Sequence, residues 1–191
     1  MGRLKVIVIF GLMGTGKTTL ARALGEALGL PVIHSDAVRK HLAGFTPTTP
    51  TPAEFGKGIY DEDFSRKTYA EMRGQAAAHL AAGRSVILDG SYKRAYERDL
   101  VAQLAQEYGA AAIFLYCACP LEVVRQRLGI RAHDPESISN GREEILTAQA
   151  EDFDPPDLAD PHIWGVNTAR ELPEVLEKVK FLLAWADSGK G

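Results

Sequence analysis

Eight consecutive residues, Gly11-Leu12-Met13-Gly14-Thr15-Gly16-Lys17-Thr18, satisfy the pattern G-x-x-x-x-G-K-[ST]. The spacing has a physical meaning. Glycines let the backbone N–H groups curl around an anion, and a helix opening at Lys17 adds the positive end of its dipole. Lys17 is then placed to reach the β- and γ-phosphates of a nucleotide and Thr18 to hold Mg2+, while Met13, Thr15 and Thr19 belong to the same cradle. The pattern therefore predicts a Mg-ATP site. An ordinary glycine-rich turn is the bland alternative, and it asks for neither Lys17 nor Thr18.

Three further groups could complete such a site. Asp89 closes the apolar run Val86-Ile87-Leu88, where a carboxylate at a strand end can hold the hydration shell of Mg2+; a turn at Asp89-Gly90 is the competing reading. Asp36 follows the short run Pro31-Val32-Ile33-His34, and Arg39 sits one helical turn later on the same face. Asp36 can take the proton of an acceptor hydroxyl during phosphoryl transfer and Arg39 can grip an anionic part of that acceptor, although Asp36 could equally cap its helix. Arg127 and Arg131, four residues apart, are placed to bring charge to the phosphates from a lid. Arg125, Tyr60-Asp61-Glu62-Asp63 and Lys93-Arg94 read as solvated charge.

These groups need a scaffold. Leu4 to Phe10 is a nearly continuous apolar run, as in a parallel strand buried on both faces. Helical spacing over Lys17 to Leu28 stops at Gly29, and the strand Pro31 to His34 and a helix over Asp36 to Ala43 follow. Helices over Glu62 to Ala82, Lys93 to Tyr108, Leu121 to Leu128, Arg142 to Phe153 and Leu172 to Trp185 alternate with strands at Ser85 to Asp89, Ala111 to Cys117 and Ile163 to Val166. Alternation of this kind predicts one α/β domain over residues 1–191, with a parallel sheet and helices on both faces. Two connections stand apart. Thr46-Pro47-Thr48-Thr49-Pro50-Thr51-Pro52 excludes helix and interior strand, so a mobile loop is expected over about 44–53, and the charged Gly129 to Gly141 stretch is expected to form a lid.

Of the 191 residues, 46% are apolar and 25% charged, with a net charge of −3, as in a globular domain without the basic field that nonspecific nucleic-acid binding requires. Cys117 and Cys119 are too close along a strand to bridge and read as reduced thiols, and no histidine has metal-ligand spacing. No run is long enough for a membrane span or a signal sequence, which makes a cytoplasmic location the expectation.

With Gly11 to Thr18, Asp36-x-x-Arg39, Asp89 and Arg127/Arg131 in this order, the chain resembles the small P-loop kinases of the gluconate, shikimate, adenylylsulfate and polynucleotide kinase kind. Leu30 to Asp36 and Val86 to Gly90 look most like the ATP-binding kinase-like domains that occur alone or fused to aminoglycoside-phosphotransferase-like domains. The resemblance implies a five-stranded sheet in the order 2-3-1-4-5, a loop around Asn167-Thr168 near the adenine, ATP and Mg2+ as cofactors, and a hydroxyl-bearing acceptor, with a small molecule favoured over nucleic acid. A polynucleotide 5′-hydroxyl kinase and a non-catalytic ATP-binding sensor are the alternatives. GTP is disfavoured, because the chain has no Asn-Lys-x-Asp motif.

Overall fold

A computed structural model describes residues 3–46, 58–132 and 146–187. Strand β1 (Lys5–Phe10) is followed by α1 (Lys17–Leu28), β2 (Val32–His34) and α2 (Ser35–Leu42). A 3-10 turn at Gly58–Tyr60 leads into α3 (Glu62–Ala81), and β3 (Val86–Asp89), α4 (Ala95–Glu107), β4 (Ala111–Ala118) and α5 (Leu121–Ala132) come next. Residues 146–151 form α6, ahead of β5 (Ile163–Asn167) and α7 (Leu172–Asp187).

The five strands are parallel and lie in the order β2-β3-β1-β4-β5, as expected. Strand β1 is central, and its two-residue period divides the interior into two halves. Val6, Val8 and Phe10 meet Tyr69, Met72 and Ala76 of α3 and Val101 of α4 on one face. Ile7 and Ile9 meet Leu20 and Leu24 of α1 and Val175, Val179 and Leu183 of α7 on the other. Because neither face of β1 reaches water, every residue from Val6 to Phe10 must be apolar, and each is fully buried.

Several boundaries differ from expectation, each for a specific physical reason. Helix α4 opens at Ala95, two residues late, because Lys93 and Arg94 are drawn to Asp152 and the Lys93 carbonyl accepts from Asp154 N at 2.8 Å. Helix α5 runs through Gly129 to Ala132, since one interior glycine costs only about 1 kcal/mol. Helix α2 ends in a Schellman-type reversal, with Gly44 at φ +77° and Phe45 N donating to Lys40 O at 2.8 Å. The proline-threonine stretch beyond Thr46 and the expected lid beyond Ala132 lie outside the described residues.

Candidate active site

The loop between β1 and α1 has the backbone that its glycines permit. Gly11 lies at φ +139°, and a Cβ there would stand 2.4 Å from the carbonyl oxygen of Cys117. Gly16 takes a left-handed conformation at φ +87° and opens α1. Thr15 is buried, and its hydroxyl donates to Leu12 O at 2.8 Å, closing the loop from inside. Lys17 Nζ donates to the same carbonyl at 2.6 Å, which folds the ammonium back over the loop. Thr19 lies on the first turn of α1, and Met13 N donates to Gln149 Oε1 of α6 at 3.2 Å.

Parallel pairing sets Asp89 opposite both Ile9 and His34, at the strand ends beside this loop. Asp89 is 4% exposed. Its Oδ2 accepts from Thr18 Oγ1 at 2.8 Å and lies 2.8 Å from His34 Nδ1, the nitrogen that must carry the hydrogen against an ionised carboxylate. Its Oδ1 is buried without a partner among the described residues. An orphaned carboxylate oxygen calls for an explanation, and a hydrated cation supplies one. Mg2+ keeps several waters and takes few protein ligands, so one hydroxyl and one carboxylate beside a phosphate cradle suit it. The described residues contain no cluster of three or more His, Cys, Asp or Glu side chains of the kind that encloses a metal.

A cleft of about 580 Å3 takes in Lys17, Thr18, Asp89, Asp36, Tyr60 and Tyr69. Asp36 lies on the first turn of α2 with its side chain 58% exposed; it pairs with Lys40 Nζ at 2.9 Å and accepts from the Tyr60 hydroxyl at 3.3 Å. It does not cap its helix: the cap position is His34, which makes no side-chain capping bond. Arg39 is buried. Its Nη1 donates to the Ile59 carbonyl and to Ser65 Oγ at 3.2 Å, and its guanidinium carbon lies 5.1 Å from the Tyr60 ring centre.

A second cavity, of about 370 Å3, lies on the other side of the loop and is lined by Gly16, Thr19, Arg127, Thr168 and Leu172 among others. Arg127 Nη2 donates to Thr168 O, and Nη1 would stand 3.3 Å from a Cβ on Gly16, so its charge lies against the phosphate loop. Thr168 is buried and donates to Thr15 O at 2.5 Å, tying the end of β5 to the loop. Asn167 instead accepts from Ala169 N at 3.0 Å and shapes the turn. Arg131 falls on the last turn of α5, and its side chain lies outside the described residues.

The sequence singles out none of His34, Tyr69 and Gln149 as members of the site. The position of His34 at a strand end beside Asp36 was the available signal; nothing marked Gln149, which reaches Met13 across 136 residues. Away from the cleft, burial opposes the charge of Asp152, yet Lys93 and Arg94 hold its carboxyl below the ordinary range. Burial pushes the Cys117 thiol up to about 12, in keeping with an inert core cysteine.

The strand order, the loop after β1 and the carboxylate ending β3 together define a P-loop nucleotide-binding domain. The AAA domain family model matches residues 6–156, and the chain belongs to that family. Among curated relatives, a "Probable gluconokinase" of Saccharomyces cerevisiae is 31% identical over 166 residues, covering 84% of this chain and 79% of that protein. An uncharacterized protein of Mycobacterium tuberculosis is 30% identical over 150 residues, or 78% of this chain, but the chain spans only 30% of that relative's length. The solved structure of a gluconokinase from Sinorhizobium meliloti 1021 has a TM-score of 0.69 at 22% identity, covering 98% of this chain and 95% of that one, which is a likeness of fold. No described helix is long and apolar enough to cross a membrane.

Proposed function

We propose that this chain transfers the γ-phosphoryl group of Mg-ATP to a hydroxyl of a small-molecule acceptor. One observation carries the reading: a single cleft holds both the phosphate-side residues Lys17, Thr18 and Asp89 and the exposed carboxylate of Asp36. A module that only senses nucleotide needs the first set and has no use for a cleft that continues to an exposed ionisable group.

Each residue then has a task. The loop N–H groups and Lys17 bind the phosphates, with the ammonium exchanging the Leu12 carbonyl for phosphate oxygens. Thr18 and Asp89 would hold Mg2+ and its waters, and the ion would supply positive charge against the phosphates. Arg127 lies along the nucleotide, Arg131 adds positive charge to the phosphates, and the Asn167-Thr168 turn borders the base. Asp36 accepts the acceptor's hydroxyl proton as the new O–P bond forms and the bond to the β–γ bridging oxygen breaks, releasing ADP. The named relatives support a sugar acid among the first acceptors to try.

The test follows ADP release from Mg-ATP by wild type and Asp36→Asn against pooled sugar acids, sugars, nucleosides, aminoglycosides and 5′-hydroxyl oligonucleotides. One pool should raise turnover, and Asp36→Asn should lower that turnover by about 100-fold with ATP binding intact. ATP binding without stimulation by any pool would sink the transfer reading in favour of a sensor. Failure to bind ATP would sink both.

A further inference from the structure

Asp36 and Arg39, expected as base and anion grip, both line the cleft, but their side chains are held differently. Arg39 is 7% exposed, and among the described residues it pairs with no carboxylate. Its donors go to a backbone carbonyl and a serine hydroxyl, and its flat face lies under an aromatic ring. A buried cation with neutral partners is costly, so what it secures is informative. It secures the segment carrying Tyr60.

The arrangement is a relay of three residues. Arg39 Nη1 donates to the carbonyl of Ile59, which fixes the 3-10 turn ahead of α3; the Asp61 side chain caps α3 by accepting from Phe64 N at 2.7 Å. Between these two anchors Tyr60 has little freedom. Its ring lies over the guanidinium at 5.1 Å, a cation–π contact, and its hydroxyl reaches Asp36 Oδ1. Lys40 holds the other oxygen of that carboxylate at 2.9 Å. The carboxylate is therefore gripped at Oδ2 from its own helix and at Oδ1 from the crossover that follows, 24 residues away. Tyr60 also lines the cleft itself.

We propose that Tyr60 is the acceptor-positioning residue of this site: its hydroxyl aims Asp36 at the acceptor, and its ring, backed by buried Arg39, is the surface on which the acceptor rests. The assignment depends on the transferase reading given above. Arg39, which also lines the cleft, serves the acceptor through Tyr60. An oriented base and a fixed platform shorten the search for an in-line geometry, the kind of positioning on which phosphoryl transfer chiefly relies.

The experiment compares wild type, Tyr60→Phe and Tyr60→Ala with the pool that stimulates ADP release, separating kcat from the KM values of acceptor and ATP. Tyr60→Phe keeps the ring and should lower kcat by about tenfold with both KM values within about twofold. Tyr60→Ala should in addition raise the acceptor KM by about tenfold, leaving the ATP KM unchanged. A merely structural tyrosine would alter the ATP KM and the melting temperature together. Wild-type kcat and acceptor KM in both variants would overturn the assignment alone, whereas ATP binding without stimulated turnover in the wild type would overturn it together with the transferase reading.

Discussion

Thr18 and Asp89, 71 residues apart in the chain, are joined by a hydrogen bond of 2.8 Å from hydroxyl to carboxylate. The bond ties the opening turn of α1 to the end of β3, and His34 meets the same oxygen from β2. Three elements thus converge on Oδ2, while among the described residues Oδ1 is left without a partner. The carboxylate is oriented before any nucleotide arrives, so its reorganisation cost is already met by folding.

Asp89→Asn is expected to raise the Mg2+ concentration for half-maximal turnover by roughly 10- to 100-fold, because an amide both weakens the interaction with the ion's waters and disturbs its orienting contacts. Binding of Mg-free ATP should change little. A magnesium titration of turnover, beside nucleotide binding in chelator, separates the two; equal loss of both would show that Asp89 supports the loop as a whole.

Gly11→Ala should cost about 3 kcal/mol, since it combines an unfavourable φ of +139° with a Cβ 2.4 Å from the Cys117 carbonyl, a backbone atom that cannot step aside. Urea unfolding measures this directly. A midpoint like that of the wild type would mean that the loop between β1 and α1 adopts another path.

The phosphate loop was legible in the sequence because its glycines have conformations that other residues reach only at a cost, and Asp89 because a polar residue closing a doubly buried strand must lie where the strand leaves the sheet at its carboxyl end. Asp36 could be placed for the same reason. The state of Arg39 could not, because its partner is a carbonyl beyond a single 3-10 turn, Gly58–Tyr60, which carries no periodic signal. The late start of α4 was hidden likewise: Lys93 and Arg94 suit a helix by local preference and are held out of it by Asp152, which lies far along the chain. Contacts between distant residues, more than local propensity, account for what was missed.

Asp152 predicts an acid-side signature. Its folded carboxyl is held below the ordinary value by Lys93 and Arg94, so its contribution is fully present above the unfolded value of about 3.9 and is lost as pH falls through the lower folded one. Wild type should therefore lose more stability than Asp152→Asn across that window, by a modest margin because the side chain is 33% exposed and solvent screens the pair. Melting temperatures of the two proteins from pH 6 to 2.5 test this, and parallel curves would refute it.

The sheet also separates two kinds of inheritance. Lys17, Thr18, Asp36, Tyr60 and Asp89 all fall in the first half of the chain, whereas the cavity beyond the loop is closed by Arg127 and by Thr168 to Val175. On the transferase reading proposed above, drift in the later segment would alter which nucleobase is welcomed while the earlier one would go on dictating what is phosphorylated. Donor and acceptor preferences would then be written in different stretches of the chain, free to diverge at different speeds among descendants of one ancestral domain.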